Sequence, residues 1–136
     1  MLAEVNPGGA LTNPVSPSSG VYELTVASLP HHVATVRMFV STVARSVGLD
    51  VETIDDTKLA ASELATAIVT AGDIPFITVR AFPKADGLTL EVGPWREGLG
   101  ADQDFGSIDI AQALFEGTTV VGEFVQIPIE ASGSDD

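Results

Sequence analysis

The stretch that most constrains this chain is residues 50–72, DVETIDDTKLAASELATAIVTAG. Ile54, Lys58, Ala61, Leu64, Ala65 and Ile68 recur at three- and four-residue spacing, which stacks them on one stripe of an α-helix. Glu63, Ala67 and Thr70 share that spacing and form a second, semi-polar stripe. A helix with one core stripe and one semi-polar stripe suits the wall of a pocket. The same periodicity also fits an ordinary amphipathic helix with Glu63 in solvent. Asp50 is placed to cap the helix start, and Thr53-Ile54-Asp55-Asp56 resembles a capping box with Asp in place of Glu. Gly72 is the expected terminator.

The flanking segments supply the rest of a fold. A first helix is predicted over residues 31–47, with Val33, Val36, Val40, Val43 and Val47 as its apolar stripe. These β-branched residues are mediocre helix formers, so packing must hold the helix. Arg37 and Arg45 lie off the stripe. They can pair bidentately with an acidic partner loop, or simply solvate the surface. His31 and His32 are adjacent and diverge on a helix, so they read as a solvated helix start rather than a metal site. Residues 21–27, 76–82 and 88–92 alternate as strands. Pro83 to Gly87 reads as the hairpin loop between the last two, with Asp-Gly its strongest element.

A Gly- and Asp-containing loop, GPWREGLGADQDFG, follows at 93–106, then a short helix over 107–115. A strand or pair of strands bent at Gly122 fills 118–129. The order β-α-α-β-β-α-β predicts an α+β fold. Its form is a two-layer sandwich, a mostly antiparallel mixed sheet with helices on one face. Residues 21–129 form the expected domain, flanked by a flexible Pro-containing arm (1–20) and an acidic tail (130–136).

Charge narrows the function classes. A chain of 136 residues is long enough for one substantial core. Nineteen acidic against six basic residues leave a net charge of −13. Direct binding of nucleic acid or an anionic membrane needs a basic surface, so neither is expected. A basic protein partner is compatible. With no cysteine there is no disulfide, thiolate zinc site or cysteine nucleophile. No apolar run reaches transmembrane length, and the first residues lack the basic start and apolar core of a signal peptide. A soluble, cytoplasmic protein is the simplest expectation.

Residues 36–72, VRMFVSTVARSVGLDVETIDDTKLAASELATAIVTAG, carry a family resemblance. They resemble the anti-sigma-factor serine kinase branch of the GHKL ATPases, small proteins of the Bergerat fold. In that family a first helix bearing an Arg precedes a helix of the form D-x-K-x-A-x-S-E-A-x-T-N-A. Asp56, Lys58, Ala60, Ser62, Glu63, Thr66 and Ala67 stand in register with it, with Ala67 at the Asn position. The later order of hairpin, loop, short helix and final strand also fits, so the resemblance extends in organisation over residues 21–129. It implies that Glu63 occupies the position of the base acting on the attacking hydroxyl or water. It implies that residue 67 should hold the magnesium bridging the ATP phosphates. It also implies an adenine-reading Asp in a D-x-G-x-G loop after the second hairpin strand, and a glycine-rich lid.

The sequence departs from that pattern. Ala67 offers no oxygen to Mg²⁺, a hard cation. Thr70 stands where the family often has a polar His, and Thr66 or Thr70 is the available substitute ligand. Gly93-Pro94-Trp95-Arg96-Glu97 replaces the adenine loop, leaving Gly98 and Gly100 as a partial phosphate loop and Asp102 or Asp104 as displaced adenine readers. The lid has become Phe105-Gly106-Ser107-Ile108-Asp109-Ile110, with one glycine. The expectation is a non-catalytic member of the family, without cofactor unless the ATP and Mg²⁺ pocket survives. It would bind a protein, by resemblance a sigma factor or an anti-anti-sigma antagonist, and could dimerise. Arg37 matches the family's partner-contacting Arg, and Arg45 lies on the same helix. The alternatives are an active ATP-dependent serine/threonine protein kinase, and a fold kept for dimerisation or another small ligand.

Overall fold

The computed structural model describes residues 20–100 and 106–131. The arm before Gly20 and residues 132–136 lie outside them. In chain order the elements are β1 (Tyr22–Ala27), α1 (His32–Ser46), α2 (Val51–Ala71), β2 (Phe76–Lys84), β3 (Gly87–Gly93), α3 (Ser107–Leu114), β4 (Thr119–Val121) and β5 (Phe124–Glu130).

Helix α2 is the centre of the helical layer. Asp50 is its cap, with extended backbone and a carboxylate that accepts the Thr53 N–H at 2.9 Å. The capping box expected at Thr53 does not form as such, because Thr53 is already inside the helix. Gly72 ends α2 in the left-handed conformation (φ 82°), and its N–H donates to the Val69 carbonyl. Ile54, Ala61, Leu64, Ala65 and Ile68 are all buried, as their spacing predicts. Lys58, on the same stripe, is half-exposed and lies 3.8 Å from Asp55. The short connection over 47–50 lays α1 beside α2 as an antiparallel neighbour. Val36, Val40 and Val43 bury the inner face of α1. His32 is less solvated than expected, since its Nδ1 bonds the Ala27 carbonyl at 2.8 Å and ties α1 to the end of β1.

The sheet order is β1-β2-β3-β5-β4. Every pairing is antiparallel, so the mostly antiparallel sheet expected is antiparallel throughout, with no parallel pair among the described strands. The reason is connectivity. Two tight hairpins join β2 to β3 and β4 to β5, and α3 carries the chain back so that β5 runs against both β3 and β4. Strand alternation puts Ile77, Val79, Leu88, Leu90, Val92, Val125, Ile127 and Ile129 on the buried inner face under the helices. On the outer face Arg80 reaches Glu23 at 3.0 Å and Glu91 at 3.6 Å, and lies 4.3 Å from the Phe124 ring. The hydrogen bond to Glu23 is the main reason that its pKa lies above the ordinary arginine value.

Two boundaries differ from the sequence reading. The β2–β3 loop is only Ala85-Asp86, because Lys84 already pairs with Gly87. Pro83 sits in the strand without cost to the ladder on one side, since β1 pairs no further than Ala81. Gly87 is required there, because a Cβ would lie 2.1 Å from the Ile129 carbonyl oxygen. Glu130, expected in the tail, closes β5 opposite Gly87, and the Ala131 N–H bonds the Asp86 carbonyl. The last segment is a pair of strands turning at Gly122 (φ 62°). Among the described residues no helix is long and apolar enough to cross a membrane.

Leu64 is fully buried at the junction of both layers. Leu64→Ala should destabilise the domain by about 2–5 kcal/mol, read as a lower urea midpoint with an unchanged slope.

Candidate functional site

The semi-polar stripe of α2 forms one wall of a cavity of about 250 Å³. Glu63 is half-buried, Thr66 and Thr70 are exposed, and Ala67 is buried at 6% relative exposure. Helical geometry forces this arrangement. Residues 64 and 68 point into the core, so 63, 67 and 70 turn towards the flank of the helix. Segment 94–100 and the start of α3 make the facing wall, contributing Arg96, Gly98, Leu99, Gly100 and Ser107.

That loop is held from below. Trp95 and Leu99 insert into the core, at 7% and 8% exposure. Burying two such side chains contributes about 1.5–3 kcal/mol each before ordering costs. The Trp95 N–H also donates to the Glu123 carbonyl at 2.6 Å. Gly93 permits this close approach, because a Cβ there would lie 2.5 Å from the same oxygen. At the rim, Arg96 Nη2 donates to Asp73 Oδ1 at 3.1 Å and links the loop to the C-terminal end of α2. Both partners are exposed, so the pair contributes about 0–1 kcal/mol.

Gly100 closes the loop onto the helix. It adopts φ 72°, a conformation that L side chains rarely hold. A Cβ at this position would lie 2.8 Å from Ser107 Oγ and 3.4 Å from the Ala67 methyl. Loop, α2 and α3 therefore meet around residue 67. Ser107 is buried at the head of α3, where Asp109 Oδ2 accepts the Gly106 N–H at 3.1 Å.

The structure thus brings together Glu63, Thr66, Ala67, Thr70, Gly98 and Gly100 of the residues singled out from sequence. Asp102 and Asp104 lie outside the described residues. Arg37 and Arg45 do not line the cavity; both are exposed on α1. Arg45 donates to Ser41 Oγ at 3.0 Å, while Arg37 makes no ion pair among the described residues. Met38, beside Arg37, is 68% exposed. Sequence reasoning missed Arg96 and Ser107 as wall residues. Arg96 was visible only as a departure from a loop motif, and no local pattern places Ser107 against Gly100.

A sequence model of the histidine kinase-like ATPase domain matches residues 26–103. The chain belongs to this family. No curated protein matches the chain. The match in this histidine kinase-like ATPase domain runs from the end of β1 through α1, α2 and the hairpin to the 94–100 loop. It therefore includes the whole cavity wall except Ser107.

The chemistry of the wall is mixed. Glu63 is a carboxylate acceptor or base, Arg96 an anion partner, and Thr66, Thr70 and Ser107 are hydroxyl donors and acceptors. At residue 67 the wall presents a methyl group packed close to Gly100. A magnesium ion needs oxygen ligands, so this position does not fit one. Ala67→Asn should destabilise the domain by about 1–3 kcal/mol through overpacking against Gly100 and Ser107. Gly100→Ala should also destabilise it, through both contact and strain. Urea unfolding of the two variants checks this, and unchanged midpoints would show that the junction is loose.

Proposed function

We propose that this histidine kinase-like ATPase domain is a non-catalytic member that works by binding a protein, as an anti-sigma-like module in a partner-switching pathway. The observation that carries the first half is Ala67. It stands at the position matching the family's metal-holding Asn, and its buried methyl abuts the loop. Phosphoryl transfer depends on positioning and on metal neutralisation of phosphate charge. Loss of one electrostatic contributor of that kind costs about 10²–10³ in rate. A net charge of −13 opposes ATP as well.

The second half rests on surface chemistry. Arg37 and Arg45 are exposed on α1, with Met38 bare beside Arg37. An exposed base next to an exposed apolar side chain is the composition of a contact point. The acidic remainder of the chain complements a partner with a basic DNA-binding surface, such as a sigma factor. Arg37 and Arg45 are the assigned partner contacts, and Glu63 is a retained but idle base. A second reading, an active ATP-dependent serine/threonine kinase, is favoured by Glu63 sharing the cavity with the Thr66 and Thr70 hydroxyls.

The test is capture of purified sigma factors from the source organism. The wild-type chain should retain a sigma factor equally well with and without nucleotide. Arg37→Ala should weaken retention at least about tenfold, roughly 1.4 kcal/mol, with unchanged thermal unfolding. Retention that needs Mg·ATP, or phosphate transferred to a partner serine, would establish the kinase reading instead.

A further inference from the structure

At β4 the sheet leaves part of its core face uncovered. Val120 pairs directly opposite Val125, so the two side chains share the face that the helices cover. Val125 is fully buried there, whereas Val120 is 44% exposed. Val120 lines a groove of about 530 Å³, in which Trp95, Leu99 and Ile108 are the other apolar side chains. The charged residues of the groove are Arg96, Glu97 and Asp109. Arg96 is already engaged by Asp73, 3.1 Å away. Glu97 and Asp109 form no ion pair among the described residues; Asp109 accepts only the Gly106 N–H, through Oδ2. The uncompensated charge of the groove is therefore negative. Among the described strands β4 pairs with β5 alone, so its other edge presents unpaired backbone N–H and C=O groups.

An apolar groove, acidic walls and a free strand edge together fit one kind of occupant. We infer that the groove takes an extended segment of a protein partner, apolar at its centre and flanked by Lys or Arg. The segment's backbone adds to the edge of β4, an apolar side chain packs on Val120 and Ile108, and the basic side chains meet Glu97 and Asp109. The chain's own ends lack this chemistry. Residues 1–19 contain no Lys or Arg, and residues 132–136, SGSDD, are acidic and without a large apolar side chain. A second copy would set a net charge of −13 against its equal. No groove residue lies on α1, so the inference does not rest on the Arg37 contact.

The experiment is calorimetric titration of the full chain with the end-blocked peptide Lys-Val-Leu-Val-Lys and three controls. The controls are Glu-Val-Leu-Val-Glu, Lys-Ser-Gly-Ser-Lys, and the first peptide N-methylated at every amide, which keeps its side chains but cannot donate to β4. The first peptide should bind saturably, and each control at least about tenfold more weakly. Val120 and Glu97 are both exposed, so Val120→Lys and Glu97→Lys should leave thermal unfolding unchanged. Val120→Lys should weaken binding of the first peptide about tenfold or more. Glu97→Lys should weaken the basic peptide and strengthen the acidic one, a reversal that a misfolded variant cannot mimic. Absence of binding by the first peptide would overturn the proposal. So would equal binding of the acidic or N-methylated peptide, or binding that survives Val120→Lys unchanged. Self-association of the chain that the peptide disrupts would assign the groove to a second copy and overturn it too. Sigma-factor retention through Arg37 is a separate measurement, so this proposal and the partner-switching reading fail separately.

Discussion

Everything in this domain depends on α2 being buried on one side and open on another. Leu64 and Ile68 are removed completely from water beneath it, and that burial fixes the rotation of the helix. Once the rotation is fixed, the positions of Glu63, Ala67 and Thr70 are no longer adjustable. The site is a by-product of the core. The shape of the wall is therefore set by the core and not by the chemistry of the residues that face the cavity. Packing preserves the frame, and nothing in the packing demands an oxygen at residue 67.

The second constraint is the junction of Gly100, Ala67 and Ser107. Three segments from distant parts of the sequence come so close there that a Cβ added to Gly100 would lie 2.8 Å from Ser107 Oγ and 3.4 Å from the Ala67 Cβ. Small residues make the approach possible, and the left-handed Gly100 turns the loop into it. Trp95 and Leu99 anchor the same loop from the core side. The loop is thus packed against α2 and the head of α3 on one side and against the core on the other.

Much of this was legible in the sequence wherever the signal is local. The 3.6-residue period located α2, and Asp50 and Gly72 marked its ends to within a residue. The stripe Glu63, Ala67, Thr70 fitted either a pocket wall or an ordinary amphipathic helix, and only the family resemblance gave a reason to favour the wall. What was not legible depends on long-range geometry. The two-residue turn at Ala85-Asp86 is set by strand register across three strands, not by the Asp-Gly pair. Arg96 and Ser107 join the site only because the 94–100 loop folds back onto α2, and no periodicity records that. Glu130 looked like tail charge because its strand pairing with Gly87 lies far away in sequence.

The central proposal is that the methyl at residue 67, standing where the family resemblance expects a metal-holding Asn, leaves no nucleotide–metal site. Direct titration of the purified chain with ATP, in the presence and absence of magnesium, tests it most simply. The account predicts no saturable heat at millimolar nucleotide and no difference on adding the metal. Magnesium-dependent binding with a dissociation constant near 1 μM, about −8 kcal/mol, would contradict it and would mean that the pocket opens around a ligand set other than residue 67.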